Sequence, residues 1–310
     1  MKIVFFGSPE AALPSLENLL AAGHCVSLVI TQPDKPAGRG NTLTPPPVKN
    51  YALRRGIPVL QPDKIRKDET VLDILKKISP DVQVVVAYGQ IIPASLIDLP
   101  RFHSVNVHFS LLPKYRGASP VQWALLNGET RTGVTIFELN EKLDEGSVLA
   151  MEETDILAGE KAFELEKRLA KLGADLLLRT LTQIETITPQ PQDHRLATFA
   201  PKIPKEQGRV DWSADASQLD RRIRALSPRP GAYTFVRGQR LKILSGRNLE
   251  GQDLVPPPGQ IISISKEGIS IACGHGSIYR AERLQRENKR EMDGYVFSLG
   301  MKLKPGDHLE

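Results

Sequence analysis

Lys2-Ile-Val-Phe-Phe-Gly7, followed without a gap by Ser8-Pro9-Glu10, is the passage that decides the fold. The apolar run has the length of a buried strand, and a helix-starting signal closes it. Ser8 is placed to cap that helix, Pro9 to fill its first position, and Glu10 to sit at the positive end of its dipole. Gly23 ends the helix, and Cys25–Thr31 is the next apolar run. Val82–Ala87, His103–His108 and Thr132–Leu139 repeat the pattern, with helical stretches at Val71–Ile78, Pro120–Asn127 and Lys161–Ile187. Strands alternating with helices predict a Rossmann-like α/β domain: a mostly parallel sheet with helices on both faces.

The pattern changes beyond residue 187. Pro189, Pro191, Pro201 and Pro204 punctuate a polar stretch that reads as a linker over residues 188–207. After it come a short helix, Ser217–Leu226, and short β-type runs at Ala232–Val236, Arg240–Leu244, Gly259–Ser265, Ile269–Ala272 and Ser277–Arg280. These predict a small OB-like β-barrel. The expected domains are therefore residues 1–187 and 208–310, which suits a chain of 310 residues.

Hydrophobic residues at 40% and charged residues at 25% exclude global disorder. No apolar run approaches the roughly 20 residues of a membrane span, and the opening residues lack the core and cleavage site of a signal peptide. Cys25 and Cys273 are too few for a disulfide framework or a cysteine metal cluster. A cytoplasmic protein without a metal is expected. The formal net charge of +5 is unevenly placed: residues 201–310 hold 19 basic against 13 acidic side chains, and residues 1–200 hold 22 against 23. A basic third beside a neutral remainder suits a polyanionic partner, and equally a solubilising surface.

The first turn, Gly7-Ser8-Pro9, lacks the repeated glycines of a dinucleotide site, which argues against a nicotinamide enzyme. No serine occupies a nucleophile elbow. The strongest constellation is Val105-Asn106-Val107-His108. Alternate residues of a strand share a face, so Asn106 and His108 lie together where open α/β sheets bind ligands. An Asn amide can donate to a growing oxyanion, and a neutral His can accept a proton. Taken singly, such a histidine is better read as a structural one; a polar pair interrupting valines in a buried strand is less easily dismissed. Asp144, in Leu143-Asp144-Glu145-Gly146, is either a turn former or a carboxylate orienting the histidine or a water. Gln32–Val48 is a long excursion carrying Lys35 and Arg39. Arg221, Arg222 and Arg224 lie off the apolar stripe of their helix, and Arg240 and Lys242 flank a hairpin. The helix and hairpin cations form a candidate phosphate-tracking surface, with a solvated face as the plain alternative; on composition the loop is a Pro-rich excursion with incidental charge.

The stretch Asn106-Val-His-Phe-Ser-Leu-Leu-Pro-Lys-Tyr-Arg-Gly-Ala-Ser-Pro120 resembles the signature of folate-dependent formyltransferases, N-x-H-x-S-L-L-P-x-x-R-G-x-x-P. Leu143–Gly146 fits the later L-D-x-G element of that family. Thr31–Gly40 (T-Q-P-D-K-P-A-G-R-G), Arg209–Trp212 and Arg224–Gly231 are similar to the branch that acts on initiator methionyl-tRNA. The resemblance implies that Asn106, His108 and Asp144 are catalytic and that 10-formyltetrahydrofolate is the donor. It implies a folate site lined by Val86, Ala87, Tyr88, Gly89, Gln90, Ser110, Leu111, Leu112 and Pro113. It implies tRNA contacts from Arg39, Lys35 and the barrel cations, and a monomeric enzyme. In one departure, Asn41-Thr42 stands where the family loop often carries further basic residues, which shifts weight to Arg39 and the barrel. Two other classes remain: a sugar-nucleotide formyltransferase, which would lack the P-A-G-R-G loop, and an RNA-binding protein with a retired catalytic half.

Overall fold

The structure, a computed structural model, describes residues 1–37, 42–249 and 256–310. The expectation for Arg39 lies outside the described residues. Two compact units are present. The first comprises Met1–Pro120, Arg131–Asp155 and Glu166–Pro201; the second comprises Val121–Thr130, Ile156–Leu165 and Lys202–Glu310.

The strands of the first unit are β1 (Lys2–Gly7), β2 (Cys25–Ile30), β3 (Lys35–Ala37), β4 (Thr42–Thr44), β5 (Val59–Leu60), β6 (Val82–Val86), β7 (Ser104–His108), β8 (Arg131–Glu138) and β9 (Val148–Asp155). Seven of them form one sheet in the order β5-β2-β1-β6-β7-β8-β9, and β3 and β4 pair separately as a hairpin. Strands β5 to β7 of that order run parallel, whereas β8 and β9 are antiparallel additions. β1 and β6 are almost wholly buried, which is why they read as unbroken apolar runs. The helices are α1 (Leu13–Ala21), α2 (Pro47–Arg54), α3 (Glu69–Ile78), α4 (Ala94–Ile97), α5 (Pro120–Leu126) and α6 (Ala162–Thr182), the last two crossing the unit boundaries.

Several details depart from the sequence expectations. Ser8 does not cap α1. A 3-10 turn, Glu10–Ala12, precedes that helix, and the Ser8 hydroxyl accepts from the Gln32 N–H at 3.0 Å instead. β9 was not anticipated because it is a half-exposed edge whose second half, Glu152–Asp155, is polar. Residues 188–201 are packed rather than free. Gln190 and Val148 exchange both backbone hydrogen bonds at 2.8 Å, and Ala200 N–H donates to the Arg116 carbonyl at 2.7 Å. Proline content and polarity suggested a linker; they carry no trace of this backbone pairing.

The second unit contains α7 (Ala216–Leu226), β10 (Ala232–Val236), β11 (Gln239–Leu249), β12 (Ile261–Ser265), β13 (Gly268–Ala272), β14 (Ile278–Arg286), β15 (Glu291–Asp293) and α8 (Gly294–Met301). The antiparallel order is β10-β11-β14-β13-β12, with β15 added to β14. The segment 307–310 joins the two outer strands. Ile261 N–H donates to the Asp307 carbonyl at 2.8 Å, and Phe235 and Glu310 exchange hydrogen bonds at 3.1 and 2.9 Å. The sheet is thereby closed into a small barrel, which removes its open edges. Leu219, Ile223 and Leu226 of α7 are buried as their spacing predicts, and the Asp215 carboxylate caps that helix by accepting from Ser217 N–H at 2.7 Å. Among the described residues, no helix is long and apolar enough to cross a membrane.

Candidate active site

The strand order leads one way from β1 to β2 and the other way from β1 to β6. Such a switch point leaves a crevice beyond the C-terminal strand ends. Three loops meet there: those after β1, β2 and β6. Ser8 donates to the Tyr88 carbonyl at 3.4 Å, and the Gln32 amide donates to the same oxygen at 3.1 Å. Gln90 anchors the far side: its Oε1 accepts from Ile65 N–H at 2.9 Å and its Nε2 donates to the Pro62 carbonyl at 3.0 Å. Ala87 (φ +48°) and Gly89 (φ +82°) are exposed, whereas the side chains of Val86 and Tyr88 point into the core. The Tyr88 ring meets Phe6 edge-on at 5.4 Å, and burial pushes its hydroxyl pKa up.

β7 supplies the polar pair. Val107 packs towards α6, where a Cβ on Gly173 would fall 2.7 Å from its Cγ1. Asn106 and His108 occupy the other face of the strand. The half-buried Asn106 amide makes no side-chain hydrogen bond among the described residues. His108 Nε2 lies 3.0 Å from the Tyr115 carbonyl. A carbonyl only accepts, so Nε2 carries the proton and the lone pair of the neutral ring resides on Nδ1. Nδ1 faces Asp144 Oδ2 at 3.8 Å, with side-chain exposures of 8% and 12%. That separation is too long for a direct hydrogen bond. The ring is therefore oriented by Tyr115, and Asp144 stands beside the lone pair rather than behind the ring.

The Ser110–Pro113 turn is internally built. Ser110 is fully buried, and its hydroxyl donates to the Lys114 carbonyl at 2.7 Å. Thr135 of β8 donates to the Ser110 carbonyl at 2.7 Å and accepts from Leu112 N–H at 3.1 Å. Leu112 is buried, while Leu111 and Pro113 remain half-exposed.

Asp144 is held by residues to which the sequence reading assigns no role. Its Oδ2 accepts from Gly117 N–H at 2.8 Å, and its own φ is +50°. Gly117 has φ +127°, and a Cβ there would fall 2.7 Å from the Ala200 carbonyl oxygen. A Cβ on Gly146 would fall 1.6 Å from the Glu138 carbonyl oxygen, so the L-D-x-G glycine is a matter of space. Arg116 is 2% exposed. Its Nε and Nη2 donate to Gln192 Oε1 at 3.2 and 2.8 Å, Nη2 lies 3.1 Å from His194 Nδ1, and Nη1 lies 3.2 Å from Glu145 Oε1. Gln192 Nε2 in turn donates to the carbonyls of Asp144 at 2.9 Å and Gly146 at 2.7 Å. Arg116 was visible as the R-G of the motif. Gln192, inside a segment read as a linker, left no sequence signal.

The cations expected to contact tRNA divide into two sets. Arg222 donates to the Gln207 carbonyl at 2.5 Å, and Arg224 pairs with Asp220 at 2.7 Å and donates to the Glu160 carbonyl at 3.1 Å. Lys35 donates to Gln32 at 3.0 Å. Arg221 is half-buried on α7, and its Nε has no partner. On the barrel, Arg240 stacks over Tyr233 at 3.7 Å and Arg209 over Phe235 at 5.7 Å. Lys242 follows Arg240 on the same face of β11. Its pKa is lowered by burial and then by the neighbouring Arg240 and Arg229 cations, as expected of a concentrated positive patch. Among the described residues, no cluster of His, Cys, Asp or Glu is placed to hold a metal ion.

Comparison with known proteins extends along the whole chain. Residues 1–181 match the family described as formyl transferase, and residues 202–302 match the formyl transferase C-terminal domain. The chain is 46% identical over 308 residues to methionyl-tRNA formyltransferase of Syntrophus aciditrophicus, covering 99% of this chain and 98% of that protein. It is 44% identical to methionyl-tRNA formyltransferase of Citrifermentans bemidjiense, covering 99% and 95%. Among solved structures, an N-formyltransferase from Helicobacter canadensis in complex with folinic acid and dTDP-3-aminofucose has a TM-score of 0.68 at 18% identity, covering 93% of this chain and 100% of that one. HypX from Aquifex aeolicus in complex with tetrahydrofolic acid has a TM-score of 0.66 at 19% identity, but this chain spans only 47% of its length. At such identities the structural likeness is one of fold. Matches to both family domains and full-length identity above 40% lead to one conclusion: the chain belongs to the formyl transferase family.

Proposed function

We propose that this protein transfers the formyl group of 10-formyltetrahydrofolate to the α-amino group of methionine carried by initiator tRNA, acting as a cytoplasmic monomer. The observation that carries the catalytic part is the convergence at the end of β7: an unengaged Asn106 amide, and His108 Nδ1 at 3.8 Å from Asp144 Oδ2. The acceptor is inferred from relatives 42–46% identical over nearly their whole length.

The loop after β6 suits a flat heterocyclic donor. Ala87 and Gly89 are exposed and nearly without side chains, so peptide groups can approach a ring edge. Leu111 and Pro113 supply half-exposed apolar surface. The donor, when bound, supplies an activated formyl carbon. Asn106 donates to the formyl oxygen as negative charge grows there, a role worth on the order of 10²–10³ in turnover for such donors elsewhere. The Nδ1 lone pair of His108 takes the proton that the amine must lose and returns it to the donor nitrogen as that nitrogen's bond to the formyl carbon breaks, so the deformylated folate leaves neutral. Asp144 stabilises the resulting imidazolium across the 3.8 Å gap.

The deciding experiment supplies the purified protein with 10-formyltetrahydrofolate and charged initiator tRNA and looks for formyl-methionine. Product is expected. A protein that ignores the tRNA and formylates an amino-sugar nucleotide instead overturns the acceptor assignment.

A further inference from the structure

A buried guanidinium is costly unless its donors are met, and Arg116 meets them with Gln192, His194 and Glu145. None of these groups is one to which the chemistry has been assigned. The far end of Gln192 instead grips the Asp144 loop, holding the carbonyls of Asp144 and Gly146 with one amide. Glu145, between those two carbonyls in the chain, is drawn to Arg116 from the same loop. Asp144 itself sits at φ +50°, a conformation that persists in a non-glycine residue when its surroundings over-determine it. The residues flanking Arg116 complete the arrangement: the Tyr115 carbonyl orients His108, and Gly117 N–H binds the Asp144 carboxylate.

We propose that Arg116, Gln192 and Glu145 form a positioning clamp that sets the Asp144 carboxylate against His108. One short backbone stretch, residues 115–117, thereby fixes both members of the pair, with Arg116 anchoring the Asp144 loop to it from behind. The clamp rests on the catalytic reading given above. These are positioning residues, because they act on the reacting atoms only through Asp144. Displacing a catalytic group by about 1 Å can cost on the order of 100-fold, so the clamp bears on turnover more than on substrate binding.

The test uses the full-length protein and measures kcat, both KM values and Tm. Gln192→Glu keeps the acceptor for Arg116 but loses both donors to the Asp144 loop. Gln192→Leu loses both functions, and Arg116→Lys keeps the charge without the fork. Each substitution is also made in an Asp144→Asn background. The expected result is a 10- to 100-fold fall in kcat for Gln192→Glu, with the folate KM within about twofold and Tm near that of the parent. Little further loss is expected where Asp144 is already Asn, because coupled residues are not additive. An unchanged kcat in Gln192→Glu, or the same fold loss in both backgrounds, overturns the clamp. A parent protein that does not formylate methionyl-tRNA, or an Asp144→Asn variant with full activity, sinks instead the reading on which the clamp rests.

Discussion

The crevice beyond β6 and β7 and the outer face of the β10–β11 hairpin treat cations in opposite ways. In the crevice, Arg116 is withdrawn from water and its guanidinium is met by Gln192, Glu145 and His194. On the hairpin, Arg240 rests on an aromatic ring with its Nε unpaired, and Lys242 is crowded by like charge. One cation is committed to holding other residues still. The others remain available to an outside anion. Formyl transfer needs atoms placed to fractions of an ångström, whereas a phosphate backbone needs charge along a surface. Cation-bearing aromatics add a face on which a nucleotide base can stack.

The largest effect expected on either side is in the crevice. Asn106→Ala should lower turnover on the order of 10²–10³ while leaving Tm and folate binding unchanged, measured by steady-state kinetics and thermal melting. Near-normal turnover would remove Asn106 from the chemistry and leave the crevice without an oxyanion donor. A smaller effect is expected on the hairpin. Arg240→Ala together with Lys242→Ala should weaken tRNA binding and reduce the magnitude of its salt slope by about 2, with kcat at saturating tRNA retained. A changed kcat with an unchanged salt slope would erase the contrast between the two regions. The smallest effect concerns a cation already engaged. Arg224→Ala, which removes both the Asp220 pair and the hydrogen bond to the Glu160 carbonyl, should cost about 1–3 kcal/mol in stability and shift tRNA affinity by less than about twofold. A large affinity loss there would mean that paired and unpaired cations serve alike.

How much of this was legible in the sequence follows from the range of the interactions. Buried parallel strands such as β1 and β6 are continuous apolar runs, and α7 declares itself by its stripe and its Asp215 cap. Asn106 and His108 interrupt valines at alternate positions, so their shared face could be read from spacing alone. Ser8 misled because its local signal for a helix cap lost to a contact with Gln32, 24 residues away. β9 was missed because an edge strand need not be apolar. Gln192 was invisible for a deeper reason. Its worth lies in contacts 76 residues back to Arg116 and 48 back to Asp144, and nothing in the neighbouring prolines encodes them.

The interleaving of the two units has a consequence for recombination. Segments 121–130 and 156–165 are encoded inside the first unit's stretch of chain yet fold with the second. The Glu160 carbonyl, for one, receives the Arg224 guanidinium at 3.1 Å. A crossover near residue 201 that exchanged barrels between two relatives would leave each new barrel facing two segments inherited from the other parent. Viable chimaeras should therefore carry those two stretches along with the barrel, and gene fusions that respect only the linear boundary should be purged.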